Sequence, residues 1–290
     1  MSCVHMLMGL LRHIRACNAW EPANFLPLLH DGVRLGLVRR DNAEQLRRFP
    51  KVFDVGSATV RIVANGGRAE LTARIDETIE TLVAHGVLAK YRREYFAVAP
   101  HWGAPPRFDL DRGAVPFFGA RSYGVHLNGW RRDGGALKLW IGRRAADKIV
   151  APDKLDNLVA GGIGRDHGVA ETLLKEGEEE AAMPRALTAR AKAAGAISYR
   201  MGMPDGLRDD VLFVYDIETP KDFTPRNTDG EIVSFALMDA ADVLARVRDT
   251  DDFKFNVNLV IIDFALRHGV IEPDDPAYLD LVTGLRRPID

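Results

Sequence analysis

The sequence predicts an α/β protein in two parts, an α+β domain over residues 1–116 followed over 117–290 by a mixed sheet held between helical layers. Three observations carry that expectation. With 290 residues and 47% hydrophobic content, the chain is long and apolar enough for two cores or one large one. Pro100, Pro105, Pro106 and Pro116, with little periodicity between them, mark a linker. Past that linker, strand-like runs at 124–127, 137–142, 197–201 and 211–217 stand on both sides of a single helix.

Taken in order, Met1, Leu7, Leu10, Leu11 and Ile14 form the stripe of an amphipathic first helix, suited to covering another surface of this protein or of a partner. A strand is expected at 33–38, a short helix at 42–49, and hairpin strands at 59–64 and 69–72 joined by the turn Asn65-Gly66-Gly67. Ile75, Ile79, Leu82 and Val83 give a helical stripe that Gly86 ends in a left-handed cap. A strand at 95–99 completes an α+β module with no nucleophile constellation. Helices at 240–248, 257–267 and 276–285 close the second part.

Composition excludes several classes. The net charge of −2, with both signs interspersed, offers no broad basic field for nucleic acid, so a small-molecule substrate is favoured. No run approaches the roughly 20 apolar residues of a membrane helix. Arg12, His13 and Arg15 follow the first apolar run instead of preceding it, unlike a signal peptide. Cys3 and Cys17 would lie about 21 Å apart on a helix, too far for a disulfide, and this fits a reducing, cytoplasmic setting. The eight histidines show no zinc-like spacing.

The stretch 161–183, GGIGRDHGVAETLLKEGEEEAAM, carries the chemistry. A short strand at 155–160 leads into Gly161-Gly162, read as a tight turn whose backbone N–H groups approach a ligand. On the helix from about Val169, Ala170, Leu173, Leu174, Gly177 and Ala181 fall on one apolar face. Glu176, Glu179 and Glu180 then share an arc of roughly 100° on the far side. A glutamate run alone is an ordinary solvated helix face. Next to a glycine turn, three carboxylates that repel one another suit a hard cation, Mg²⁺ or Mn²⁺, which also binds phosphate oxygens.

The spacing resembles the Nudix box, in which Gly, five residues, Glu, seven residues, Arg-Glu, two residues and Glu-Glu form a loop-helix pyrophosphatase site. Gly161 matches the leading glycine, and Glu176, Glu179 and Glu180 match the three metal-binding glutamates. His167 stands in place of the first glutamate, Lys175 of the arginine, Gly177 of an aliphatic residue and Ala182 of the late glycine. Lysine keeps the charge but not the planar fork of arginine. The runs LWIGRRAADK, KLDNLVAGGI, LFVYDIETPKDFTPRNTDGE and DDFKFNVNLVIIDFALRHG look like the Nudix branch related to thiamine pyrophosphokinase. That resemblance implies an α/β/α sandwich preceded by a family-specific domain, and a substrate such as oxidised or damaged thiamine diphosphate cleaved to the monophosphate.

Roles follow from these residues. Glu176, Glu179 and Glu180 are expected to bind metal, Glu179 and Glu180 being catalytic as well, with Glu231 the candidate general base or extra ligand and an ordinary turn acid otherwise. Trp140 is placed to stack on a ring, and Arg143, Arg144 and Lys148 to hold phosphate, with sheet packing or surface charge as their alternative roles. Gly161, Gly162 and His167 belong to the substrate loop. The alternatives are hydrolysis of oxidised nucleoside diphosphates and a Nudix module that binds without hydrolysing; self-association into a homodimer stays open.

Overall fold

A computed structural model of the chain describes residues 3–89 and 91–289. Helix α1 (Cys3–Cys17) precedes β1 (Phe25–His30), β2 (Val33–Arg39), α2 (Arg40–Leu46), β3 (Phe53–Val55) and β4 (Val60–Ile62). The four strands form a sheet in the order β2-β1-β4-β3, antiparallel except for β1 beside β4. Helix α3 (Arg68–Ala84) lays Leu71, Ile75, Ile79 and Leu82 on that sheet. A hairpin of β5 (Tyr95–Val98) and β6 (Phe108–Asp111) and the short helix α4 (Val115–Phe118) fill the same core through Phe108, Phe117 and Phe118.

Two expectations are corrected here. Residues 69–72 are not a strand, and Asn65-Gly66-Gly67 is not a hairpin turn. It is the entrance to α3, where the Glu70 carboxylate reaches back to accept the Gly67 N–H at 2.8 Å and satisfies a donor that the helix leaves free. The proline-bearing stretch is not a linker either. Pro100, Pro105 and Pro106 lie in the β5–β6 connection, and Pro116 is buried in the first turn of α4, where its missing N–H costs nothing.

The second part contains β7 (Arg121–Asp133), β8 (Ala136–Arg144), β9 (Leu155–Asp156), β10 (Val159–Gly162), α5 (Val169–Ala181) and α6 (Arg185–Thr188). Then come β11 (Lys192–Met203), β12 (Gly206–Glu218), β13 (Ile232–Asp239), α7 (Ala240–Asp249), α8 (Val257–Arg267) and α9 (Tyr278–Gly284). The sheet runs β11-β12-β7-β8-β13, with β10 against β7 and β9 against β8. It is mixed, because β12 lies parallel to β7 over Asp209–Glu218 while the other pairs are antiparallel. Helix α5 covers one face through Leu173 and Ala181 against Val125, Leu127 and Val159. Helices α7, α8 and α9 cover the other, so the sheet is the middle layer of an α/β/α sandwich.

Helix α1 crosses over from the start of the chain to that outer layer. Leu10, Leu11, Ile14 and Cys17 are buried in the core of α7, α8 and α9, and His13 Nε2 lies 2.6 Å from the Val247 carbonyl. The apolar stripe thus covers a surface of its own protein; Met1 and the Leu7 side chain lie outside the described residues. Cys3 and Cys17 occupy opposite ends of α1, and Cys17 is a buried free thiol, its pKa pushed up to about 12 by desolvation and then by Asp210.

Candidate active site

The site is assembled where α5 meets β10. Gly161 and Gly162 are strand residues, paired with Val125 and Gly124, and neither has the left-handed backbone that a tight turn needs. Their lack of a side chain serves close approach instead. A Cβ on Gly161 would overlap Cγ and Cδ of Glu176, and one on Gly162 would come within 2.6 Å of Phe96 Cζ. Glu176 therefore folds over the strand and is three-quarters or more hidden, its side chain 18% exposed.

Glu180 is placed differently from the expected outward arc. It lies on the inner face of α5 with 3% of its surface exposed, where Oε2 accepts the Ala160 N–H at 2.8 Å. Desolvation, then the charges of Asp156, Glu176 and Glu231, push its carboxyl well above the usual range. Burial likewise raises Glu176, against the pull of Lys175. Only Glu179 points outward, held at 2.6 Å by the Lys175 ammonium, which also lies 3.3 Å from Glu176 Oε1. Lys175 thus holds its neighbours as a point charge, the role open to lysine at that place.

Across from α5, Glu231 begins the turn into β13 and is paired with Lys148; burial would raise its carboxyl, but the lysine wins and holds it below the usual value. A cleft of about 1310 Å³ opens beside this wall. Ala160, Gly161, Gly162, Lys148 and Glu231 line it, as do Phe96 of β5, which packs on Gly162, and Arg112 just after β6. A deep wall of buried charge closes it: Arg144 donates to Asp156 at 2.7 Å, and Lys254 Nζ lies 3.7 Å from the same carboxylate.

Comparison with known proteins gives three kinds of match. A family model described as a domain of unknown function (DUF4743) covers residues 9–122. Nudix hydrolase 20, chloroplastic, of Arabidopsis thaliana is 38% identical over 293 residues, covering 97% of this chain and 78% of that protein. The chain belongs to the Nudix hydrolases. Nudix hydrolase 24, chloroplastic, of the same plant is also 38% identical, over 286 residues with the same coverage of both chains. Among solved structures, the NUDIX domain of Shewanella oneidensis NrtR complexed with ADP ribose is 16% identical with a TM-score of 0.41, over 55% of this chain and 94% of that one.

Of the residues matched to the Nudix box, Glu176 packs on Gly161 and Glu180 on the Ala160 N–H, while Gly161, Lys148 and Glu231 line the cleft. Four other candidates are engaged differently, three of them outside the cleft. Trp140 is buried in the core under α5, its Nε1 donating to Thr219 Oγ1 at 3.2 Å, so the indole is packing and not a stacking platform. Arg143 is engaged at the surface by Asp153, at 2.8 and 2.7 Å, and does not line the cleft. Arg144 lines it but spends its donors on Asp156 and on the carbonyls of Val150 and Ala151, bracing the 145–154 loop. His167 is exposed at the entrance to α5, with its N–H on the Gly164 carbonyl at 3.1 Å.

The residues present fit a divalent cation by donor chemistry. Glu176, Glu179, Glu180 and Glu231 offer only carboxylate oxygens, and Glu180 is a buried acid with one backbone donor and three like charges around it. Among the described residues no three acidic, histidine or cysteine side chains form a ready cage, and Lys175 lies across Glu176 and Glu179. Lys254, Asp156 and Phe96 escaped sequence reasoning. A single lysine inside the run FKFNVNLV was the one available sign, since a lone charge in such a run needs a buried partner.

Proposed function

We propose that this Nudix hydrolase cleaves the phosphoanhydride of a small diphosphate ester with the help of Mg²⁺ or Mn²⁺ held by Glu176, Glu179 and Glu180. Hydrolysis adds water across the P–O–P bridge, giving a monophosphate ester and inorganic phosphate. Bound there, the cation neutralises charge on the phosphate oxygens. The observation that carries the reading is the buried Glu180, fixed by the Ala160 N–H beside Gly161 and Glu176. Glu231 lines the cleft and is the carboxylate we assign to take a proton from the attacking water; its pairing with Lys148 keeps it ionised and makes it a weaker base, so loosening that pair would strengthen it. Oxidised or damaged thiamine diphosphates are the leading substrates on the resemblance of the long runs around the box. Residues 1 to about 116 then restrict which diphosphate enters.

Released phosphate from a panel of thiamine and nucleoside diphosphates, with and without Mg²⁺ or Mn²⁺, tests the proposal. Glu180→Gln is expected to lower kcat by about 10²-fold or more, roughly 2.7 kcal/mol of transition-state stabilisation. A parent protein that binds one of these compounds tightly and releases no phosphate would replace hydrolysis with binding.

A further inference from the structure

The hairpin of the first part is fastened to the Nudix loop at several points. The Arg165 N–H donates to the Tyr95 carbonyl at 2.9 Å, the Arg165 guanidinium lies 4.6 Å over the Tyr95 ring, and Phe96 rests on Gly162. This fixes the hairpin relative to that loop. At the base of the hairpin the buried Asp111 carboxylate accepts backbone N–H groups from Arg92 at 2.9 Å, Arg93 at 2.6 Å and Gly113 at 2.8 Å. One acid thereby clamps together the two segments that carry Arg92 and Arg112, and both of these side chains line the cleft.

Arg208 of β12 lines the same cleft; its Nε is buried without a hydrogen-bond partner among the described residues, while its Nη1 lies 3.9 Å from Asp210 and the guanidinium sits 5.5 Å over the Phe255 ring. The three guanidinium groups feel one another. Arg92 is held below its usual value by burial and then by Arg112 and Arg208, and the field of Arg112 reaches Glu231 and Lys254. The nearby acids are shared: Asp210 accepts the Ser122 hydroxyl at 2.6 Å and the Tyr199 hydroxyl and holds Arg208 only at 3.9 Å, and Glu231 takes Lys148. Arg112 has Glu94 at 2.9 Å, but that pair is about half exposed and so only weakly held.

We infer that Arg92 and Arg112, which flank the N-terminal hairpin, form with Arg208 of β12 an anion subsite that grips a phosphate group of the substrate, so that the first part of the chain supplies part of the Nudix active site. Guanidinium forks lining one cleft match the non-bridging oxygens of a phosphate, and Glu231 lines the same cleft. The inference rests on the diphosphate reading above, yet it concerns binding alone and is separable from turnover.

Inorganic pyrophosphate with Mg²⁺, titrated into the full chain by calorimetry, is the probe. Arg92→Ala/Arg112→Ala is expected to weaken pyrophosphate at least tenfold and to flatten the dependence of affinity on salt, with an unchanged thermal midpoint. Arg112→Gln alone should give an intermediate loss, and Arg107→Ala, on the same part but outside the cleft, none. A double variant that binds within twofold of the parent, or a parent that does not bind pyrophosphate at millimolar concentration, overturns the inference. A parent that binds through these arginines but hydrolyses no diphosphate overturns only the proposed reaction; a double variant with parental kcat/KM on a hydrolysed substrate overturns only the subsite.

Discussion

At the scale of single residues, the site depends on what is missing from Gly161. Its backbone is ordinary extended strand, so alanine there is not strained by conformation; the conflict is with the Glu176 side chain folded over it. Glu176 is long enough to swing away, so Gly161→Ala should keep the fold, with a thermal midpoint within a few degrees of the parent, while metal-dependent activity falls at least tenfold. Parental activity in that variant would show that the packing of Glu176 on the strand is not needed. His126 makes a second case. Asp216 can only accept, so the Asn128 amide donates to it at 3.0 Å; Asn157 then donates to the Asn128 oxygen and receives the His126 Nδ1 proton, each at 2.8 Å. Burial, then the charge of Lys254, lowers the imidazole pKa to about 4. The unfolded chain, with an ordinary value near 6.5, takes up that proton first, so stability is complete above about pH 6.5 and declines as pH falls toward 4. Between pH 7 and pH 5 this one group should remove about 2 kcal/mol, read from urea midpoints. In His126→Gln that part of the slope should vanish.

At the scale of elements, α5 shows why the box departs from its usual pattern. Gly177 stands where an aliphatic residue is expected, and a Cβ there would sit 3.0 Å from Thr188 Oγ1 and 3.1 Å from Cγ2. The glycine lets α6 pack closely on α5, and the Met183 N–H closes the helix end on the Gly177 carbonyl at 2.9 Å. Gly177→Leu should therefore destabilise the chain by about 1–3 kcal/mol through overpacking, despite restoring the commoner residue type. A urea midpoint equal to the parent's would refute that reading. The same helix marks how far the sequence could be read. The 3.6-residue stripe of Leu173, Gly177 and Ala181 placed α5 correctly, but periodicity put Glu180 outside, because a carboxylate counts as polar wherever it points. Its burial depends on the Ala160 N–H from a strand 20 residues away, which no local pattern encodes. For β5 and β6 the difficulty is similar. The first was visible as a short apolar run, whereas Phe108–Asp111 carries two acids whose partners, Arg68 and the 92–93 backbone, come from elsewhere in the chain.

At the scale of the whole molecule, the order of the chain and the order of the cores do not coincide. The large sheet, its α5 cover and the box all lie within the second half, yet its outer helical layer is completed by α1 from the other end of the chain. Leu10, Leu11, Ile14 and Cys17 are each no more than 6% exposed there, and Gly284 of α9 makes room for Ile14, whose Cγ2 would lie 2.6 Å from an added Cβ. A fragment beginning at residue 117 would bare that apolar patch. It would also lose Phe96 from above Gly162. The expected outcome is that residues 117–290 alone unfold without a cooperative transition or aggregate, and show no metal-dependent hydrolysis. In the intact chain, where α1 is present but weakened, Leu10→Ala and Ile14→Ala should each cost about 2–5 kcal/mol, as buried large-to-small changes do. Because neither residue lines the cleft, the double variant should keep its KM at temperatures where it remains folded. Urea unfolding followed by circular dichroism, with activity assayed in parallel, separates these effects. A 117–290 fragment that unfolds cooperatively near the parent midpoint would mean that α1 is an accessory to the core and not one of its walls.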